Sequence, residues 1–104
     1  MRHMLDHARE AVEPCWSRTR AHLDSDRTFN LALVRLVEIV GEAACRVSAE
    51  GLRRVPGIPW TQVKGMRNRL IHGYDEVDFD ILWDTIQMDL PPLIANLEAV
   101  LGSR

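Results

Sequence analysis

The side chains that could carry out a reaction are concentrated in residues 64–74, which read K-G-M-R-N-R-L-I-H-G-Y. We place this segment at the C-terminal end of a predicted helix, where the helix dipole favours a protonated imidazole and neighbouring guanidinium groups oppose it. That balance allows His72 to give or take a proton near neutral pH. Arg67 or Arg69 could stabilise the extra negative charge of a phosphoryl transition state. The residue types therefore predict a phosphodiesterase that needs neither a metal ion nor another cofactor.

Helical geometry complicates this prediction. At about 100° per residue, Arg67 and His72 point about 140° apart on an ideal helix, whereas Asn68 and His72 share a face, as do Arg67 and Tyr74. One helix can aim Arg67 and His72 at the same point only if it unwinds at its end. Two such helices that meet across a dimer could supply two histidines to one cleft, one as general base and one as general acid. The alternative is a solvated helix end with no catalytic role.

Composition limits the class of protein. The chain has 104 residues, 46% apolar and 27% charged, which predicts one domain over residues 1–104. Cys15 and Cys45 have no C-x-x-C partner, so we expect two buried free thiols and neither a disulfide framework nor a zinc site. Charged residues through the first 25 positions exclude a signal peptide, and no apolar run reaches membrane-spanning length. We therefore expect a cytoplasmic protein with no membrane partner.

The net charge of −2 conceals three blocks of different sign. Residues 1–45 carry a charge of −1, residues 46–74 carry +5, and residues 75–104 carry −6. The basic block could follow a phosphate backbone, and the acidic block could limit adhesion to other polyanions. The alternative is that the basic and acidic blocks pair with each other.

Apolar residues at intervals of three and four predict helices over residues 2–23 and 27–48. Pro14 removes one backbone hydrogen bond of the first helix, so we expect a kink or a restart there. The apolar positions of that helix are Met4, Leu5, Ala8, Val12, Cys15, Trp16 and Leu23. The D-S-D sequence at residues 24–26 offers N-cap oxygens for the second helix. Residues 49–59, which contain several Gly and Pro, predict a loop with at most one short turn.

Two further helices are predicted in the second half of the chain. Pro59 occupies the first position of a third helix that closes at Gly73. Asp78 is the N-cap of a fourth helix, which Pro91 and Pro92 must bend or interrupt. Its buried stripe is predicted to be Leu82, Ile86, Leu90, Leu93, Leu97 and Leu101. Because no segment has the alternation of a β-strand, we predict an all-α, up-and-down bundle of four or five helices.

The second helix has more apolar residues than one buried face requires. Arg35, Glu38, Glu42 and Arg46 form one polar stripe, and apolar residues cover most of the remaining circumference. This pattern predicts burial on two sides, against the bundle and against a second subunit, and therefore a homodimer. The alternative is a central helix in a monomer.

The chain resembles a known family at its reactive segment. Residues 67–74 match the R-x-x-x-x-H-x-Y signature of the HepT-like toxins, a branch of the HEPN superfamily of all-α ribonucleases, and Asn68 is the small polar residue favoured after the arginine. Other segments that look like this family are Gly41-Glu42-Ala43, Ile58-Pro59-Trp60, Leu82-Trp83-Asp84 and Asp89-Leu90-Pro91-Pro92-Leu93. The resemblance covers nearly the whole chain.

The resemblance implies a homodimeric, metal-independent endoribonuclease, the toxin of a type VII toxin–antitoxin system. Arg67 and His72 of both subunits would meet at the dimer interface. His72 would promote attack of a ribose 2′-hydroxyl on the adjacent phosphate that Arg67 binds, giving a 2′,3′-cyclic phosphate and a 5′-hydroxyl. Asn68, Arg69 and Lys64 would contact the RNA substrate.

The resemblance also implies a protein partner. In the family, an MntA-like nucleotidyltransferase antitoxin silences the toxin by transferring AMP to the motif tyrosine, here Tyr74. Charge and bulk beside the arginines would then block the RNA site. Two other functions remain open: a non-catalytic helical partner that docks and regulates a nucleotidyltransferase, and a DNA-binding repressor. The repressor is disfavoured because no recognition helix with several exposed basic residues is predicted outside the motif.

Overall fold

The chain folds into an all-α bundle, as predicted. The computed structural model describes residues 1–70 and 77–102. In chain order, its elements are α1 (Arg2–Val12), a 3-10 helix (Glu13–Ser17), α2 (His22–Ser25), α3 (Arg27–Cys45), α4 (Ala49–Arg54), α5 (Trp60–Lys64), α6 (Met66–Leu70), α7 (Phe79–Asp84), a π-helical turn (Thr85–Asp89) and α8 (Leu90–Leu101). Helix α1 packs against α3 and α8, and α3 also packs against α5 and α6.

The core forms along the apolar stripes of these helices. The predicted stripe of the fourth helix is buried from Leu82 to Leu97, and its last member, Leu101, is half-buried. Opposite it lie buried residues of the first two predicted helices, among them Met4, Leu5, Ala8, Ala11, Val12, Leu33, Val37, Val40 and Ala44. Burial of this apolar surface is the main force that holds the helices together.

Helix α3 begins where the sequence predicts and ends earlier. The Asp26 carboxylate accepts a hydrogen bond from the Phe29 N–H at 3.0 Å and pairs with Arg18 at 3.1 Å. These two contacts, the backbone bond first, lower the pKa of Asp26. The helix ends at Cys45 instead of residue 48, because Ser48 is the N-cap of α4 and accepts from the Gly51 N–H at 3.1 Å. The prediction of a loop with at most one short turn after residue 48 is therefore wrong for Ala49–Arg54.

The first helix is interrupted at Pro14, where a kink or restart is expected, but the predicted helical span to residue 23 is wrong for residues 18–21. After Val12 the chain tightens into a 3-10 helix, and Arg18 then adopts an extended conformation with φ −129° and ψ 168°. Trp16 lies within this 3-10 helix and is 78% exposed. Its predicted place on the buried face is wrong, because the spacing of an α-helix no longer applies after Pro14.

The two cysteines have different environments. Cys15 is buried, its thiol donates to the Ala11 carbonyl at 3.3 Å, and burial raises its pKa. Cys45, the last residue of α3, is exposed. The prediction of a buried free thiol is confirmed for Cys15 and wrong for Cys45.

The predicted third helix is divided at Gly65. Helix α5 ends at Lys64, Gly65 has φ −90° and ψ 3°, and α6 begins at Met66. Pro59 is the residue before the first turn and not its first member. The predicted end of this helix at Gly73 lies outside the described residues.

The predicted fourth helix is continuous but not uniform. Asp78 caps it as expected, with its carboxylate accepting from the N–H groups of Asp80 and Ile81 at 2.9 and 3.1 Å. The π-helical turn Thr85–Asp89 lies immediately before Pro91 and Pro92. These prolines have no N–H to give to the carbonyls four residues earlier, and the wider turn accommodates their rings. The predicted interruption is thus confirmed as a local widening.

Ion pairs relate the three charge blocks. Arg69 pairs with Asp89 at 3.5 Å across the basic and acidic blocks. Asp80 and Glu98 of the acidic block instead pair with Arg20 and Arg9 of the first block, at 2.7 and 2.6 Å. The basic and acidic blocks therefore pair with each other in one of these three contacts, and the other two join the acidic block to the first block.

Candidate ribonuclease site

Helix α6 presents the motif arginines to solvent. Met66 and Leu70, one turn apart, are buried, and Arg67, Asn68 and Arg69 between them are exposed. The i, i+4 spacing of the two apolar residues holds one side of this short helix on the core. The three polar residues are consequently held on the surface of the bundle.

Arg67 is held by an acidic residue of α3. Its Nε donates to Glu38 Oε2 at 3.0 Å, and the Glu38 side chain is only 20% exposed. Arg35 Nη1 lies 3.6 Å from the other oxygen of the Glu38 carboxylate. The same nitrogen lies 3.5 Å from the Glu42 carboxylate. Since Glu38 contacts Arg67 through Nε, the two terminal nitrogens of the guanidinium can point outward as a fork that matches a phosphate.

A close approach of two helices makes this contact possible. The backbone carbonyls of Val63 and Lys64 face Gly41 of α3, where a Cβ atom would lie 3.3 and 3.6 Å from their oxygens. A residue with a Cβ at position 41 would therefore require the α5 backbone at Val63 to shift by a few tenths of an ångström. Gly41 lies three residues after Glu38 on the same helix, so the spacing of the helices and the Arg67 contact depend on each other.

Arg69 points away from Arg67. Its Nη2 lies 3.4 Å from the Gln62 carbonyl of α5 and 3.5 Å from the Asp89 carboxylate of the π-helical turn. Two positions along an α-helix correspond to about 200°, which explains the divergence. The structure does not bring the two motif arginines to one point.

The remaining predicted site residues are placed as follows. Lys64 ends α5 and is half-buried, and Asn68 is exposed between the two arginines. His72 and Tyr74 lie outside the described residues. The segment that contains them is bounded by a backbone hydrogen bond from the Asp78 N–H to the Leu70 carbonyl at 2.6 Å. This bond places the end of α6 next to the start of α7.

An open groove of about 590 Å³ runs along α3 beside its polar stripe, and Glu42 of that stripe lines it. Ile39, Ala43 and Val47 form its apolar floor, and Arg46 and Arg54 of the basic block line it. Ile39 and Ala43 are half-buried. Helix α3 thus combines a core face with a second, partly covered apolar strip beside its polar stripe.

In residues 1–70 and 77–102, no three His, Cys, Asp or Glu side chains are grouped as metal ligands would be. Over the same ranges, no helix has both the length and the apolar character required to cross a bilayer.

Fold and site together define a small all-α domain that exposes an arginine pair at a helix end. The chain matches the "Ribonuclease HepT-like" family over residues 4–100 and belongs to that family. The resemblance based on the R-x-x-x-x-H-x-Y signature is confirmed. No solved structure matches the chain.

Three curated relatives support the assignment. A Thermococcus cleftensis protein named "Probable ribonuclease HepT" is 38% identical over 73 residues, which are 70% of this chain and 66% of the relative. A protein of Caldanaerobacter subterraneus subsp. tengcongensis, provisionally named an RNase, is 36% identical over 76 residues, 73% of this chain and 68% of its own. A Methanocaldococcus jannaschii protein with the same provisional description is 32% identical over 76 residues, which are 73% of this chain and 70% of the relative. The alignments span about two thirds of each relative's length.

Sequence reasoning missed two residues of the site. The sequence pattern places Glu38 in a polar surface stripe, although Glu38 contacts the motif arginine, and it gives Gly41 no role beyond its place in a segment that resembles the family. A signal for both exists in the sequence. A glycine inside an otherwise strong helix indicates close approach of another backbone, and an acidic residue one turn away can then meet a basic residue of that neighbour.

Proposed function

We propose that this protein is a metal-independent endoribonuclease, the toxin of a type VII toxin–antitoxin system of the HepT/MntA type. The observation that carries the proposal is the placement of Arg67, which is exposed on α6 and oriented by the mostly buried side chain of Glu38. Membership of a ribonuclease family and the complete motif with His72 support the same conclusion. Such an enzyme would act on RNA in the cytoplasm.

The reaction proposed is transfer of a phosphodiester to the neighbouring 2′-hydroxyl. His72 removes the 2′-hydroxyl proton, the 2′ oxygen attacks phosphorus, and the bond to the 5′ oxygen breaks. A second histidine, the partner subunit's His72, returns a proton to the departing 5′ oxygen. Arg67 stabilises the charge that accumulates on the non-bridging oxygens. The products are a 2′,3′-cyclic phosphate and a 5′-hydroxyl, and no cofactor takes part.

The proposal requires a homodimer. The half-buried apolar strip of α3 (Ile39, Ala43 and Val47) lies beside the polar stripe that contacts Arg67, and it supports a second subunit at that place. Two copies of α6 would then supply the second histidine that one helix cannot place beside Arg67. Lys64 and Asn68 would contact the phosphates that flank the cut, since phosphate contacts position a strand without reading its bases.

The direct test is cleavage of total cellular RNA by the purified protein in EDTA. The proposal predicts fragments that form without added metal and end in a cyclic phosphate. Absence of cleavage by a folded, dimeric protein that carries no AMP on Tyr74 would contradict it. That result would favour the docking of a nucleotidyltransferase as the function.

Substitution of Glu38 separates positioning from substrate binding. Glu38→Gln is expected to lower kcat about tenfold, because the guanidinium of Arg67 loses its charged partner and a small misplacement is costly. The KM for RNA is expected to stay constant or fall, since the variant removes a carboxylate that repels phosphate. Steady-state kinetics on a defined RNA check both values.

A matched control is available one turn further along α3. Glu42→Gln makes the same change of charge at a residue that contacts Arg35 and not Arg67. We expect Glu42→Gln to have nearly wild-type kcat. Equal effects of the two variants would contradict the positioning role of Glu38, and equal melting temperatures would exclude unfolding as the cause.

Tyr74 is the proposed site of silencing. With ATP and an MntA-like nucleotidyltransferase, the wild-type protein is expected to gain the mass of an adenylyl group and to lose cleavage activity. Tyr74→Phe is expected to remain unmodified and active, because the phenol oxygen that accepts AMP is missing. Intact mass and RNA cleavage are measured on the same samples. Silencing of Tyr74→Phe without a change in mass would show that the partner inhibits by docking.

A further inference from the structure

A second cavity lies beside Arg69, on the side of α6 that faces away from Arg67. This cavity, here called the lateral slot, has a volume of about 100 Å³. It lies between α5–α6 and the π-helical turn, and its lining includes Val63, Met66, Arg69, Met88, Asp89 and Pro92. The slot is thus continuous with the exposed residues of the motif helix.

The π-helical turn shapes one wall of the slot. Met88 lies in this turn and is 69% exposed, which places a large apolar side chain in water without benefit to the core. Pro91 and Pro92 have no N–H, so the carbonyls of Gln87 and Met88 lack the donor that a regular helix would supply four residues later. π-helical turns are frequent at functional sites. A polarisable methionine and a proline together suit the face of a flat ring.

The rim of the slot carries one donor and one acceptor. Arg69 Nη2 lies 3.4 Å from the Gln62 carbonyl and 3.5 Å from Asp89 Oδ2, both beyond the usual range of a good hydrogen bond. The Arg69 and Asp89 side chains are 43% and 38% exposed. An exposed pair with such long contacts is weak, so a ligand with its own donors and acceptors can take its place.

We propose that the lateral slot binds a guanine base of the RNA strand next to the cleaved phosphate; this inference rests on the proposed function. Single-stranded RNA is recognised through unstacked bases that are bound on their edges. Guanine is the base with two adjacent N–H donors, N1–H and N2–H, which match the two oxygens of the Asp89 carboxylate. Its O6 accepts from Arg69, and one face of the ring lies against Met88 and Pro92. Arg67, on the other side of α6, stays available for the phosphate.

The chemistry also explains why other bases fit less well. Uracil has one N–H between two carbonyl oxygens, and these oxygens would face the negative charge of Asp89. Adenine and cytosine have a single amino group next to a ring acceptor. A paired contact to a base edge is worth about 1–3 kcal/mol of discrimination, which corresponds to a factor of about 5 to 150.

The first arm of the test measures cleavage. The wild-type protein is incubated with an RNA library of random sequence, and the bases around each cut are counted. We expect guanine to be enriched at one fixed position, at least about fivefold over uracil. Asp89→Asn is expected to remove this enrichment, because an amide offers one acceptor and a competing donor. Asp84→Asn, an exposed acidic residue earlier in the same helix, is the control that should keep it.

The second arm measures binding and does not depend on catalysis. Fluorescence anisotropy compares a labelled oligouridylate with the same strand containing one guanosine, using His72→Ala protein. We expect binding to the guanosine strand to be at least about fivefold tighter, a difference that Asp89→Asn removes and Asp84→Asn retains. Met88→Ala should also reduce it, and Gln87→Ala, at an exposed neighbouring position, should not. Asp89 makes no side-chain cap to α8, so its substitution should leave the fold intact.

The outcomes separate the slot from the nuclease. Equal affinity for the two strands, or a guanine preference that remains in Asp89→Asn, would contradict the proposal that the slot binds guanine. A guanine-dependent affinity in a protein that never cleaves RNA would support the slot and contradict the proposed nuclease activity. Cleavage without any base preference, together with equal affinities for the two strands, would support the proposed nuclease activity and contradict guanine binding in the slot.

Discussion

His72→Ala is expected to lower the rate of RNA cleavage by about 10²–10⁴-fold, the range found when a positioned acid or base is removed. In the proposed dimer the loss falls on both proton transfers, because each subunit supplies one histidine. The pH profile of the wild type should consequently be bell-shaped, with one limb for the base and one for the acid. Initial rates on a defined RNA substrate between pH 5 and 9 measure both effects.

The matched control for this substitution is His3→Ala, which removes an exposed imidazole from the first turn of α1. It should retain the wild-type rate and pH profile. Far-UV circular dichroism and melting temperature should be the same for both variants. Undiminished cleavage by folded His72→Ala would exclude the role assigned to this residue.

Arg67→Ala is expected to lower kcat by about 10²–10³-fold, the usual effect of removing one group that stabilises transition-state charge. The structure explains why the effect should appear mainly in kcat. Arg67 is a 52% exposed side chain oriented through Nε by Glu38, so its terminal nitrogens are positioned before the substrate binds. Preorganised charge favours the transition state more than the ground state.

Two further variants test whether position or charge matters. Arg35→Ala removes an equal charge that contacts the same Glu38 carboxylate from α3, and it should lower kcat only slightly. Arg67→Lys keeps the charge but loses the planar fork, so we expect only partial recovery of the rate. Full activity of Arg67→Lys would indicate that a general positive charge is sufficient. Equal losses in Arg35→Ala and Arg67→Ala would contradict a specific role for Arg67.

Local signals predicted the starts of the helices well. Asp26 and Asp78 cap α3 and α7 as expected, because a short polar side chain before an apolar repeat satisfies N–H groups that no helical carbonyl can reach. The leucine stripe from Leu82 to Leu97 was also predictable, since its spacing allows only one buried face. These features depend on residues close together in sequence.

Features that depend on the rest of the fold were not predictable in the same way. Helix α4 forms in a segment with many Gly and Pro because Ser48 caps it, and that cap competes with the extension of α3. Cys45 and Trp16 are exposed because the helices that carry them end or tighten beside them. In each case the residue types are ambiguous, and tertiary packing decides between two acceptable local structures.

The candidate site shows the same division. The motif spacing identified Arg67 without knowledge of the fold, whereas its contact with Glu38 joins residues 29 positions apart. The contact requires that α5 and α6 pack closely on α3, and Gly41 leaves room for that approach at α5. The divergence of Arg67 and Arg69 follows from helical geometry, but the partner of Arg69 in the π-helical turn does not.

The most direct test of the central claim is cleavage of one RNA oligonucleotide that carries a single 2′-deoxyribose at the mapped cut site, in EDTA. If a ribose 2′-hydroxyl attacks the phosphate, the unmodified strand is cut to a 2′,3′-cyclic phosphate and a 5′-hydroxyl, and the modified strand is not cut there. Cleavage at the deoxyribose position, or products with a 3′-hydroxyl and a 5′-phosphate, would contradict the account.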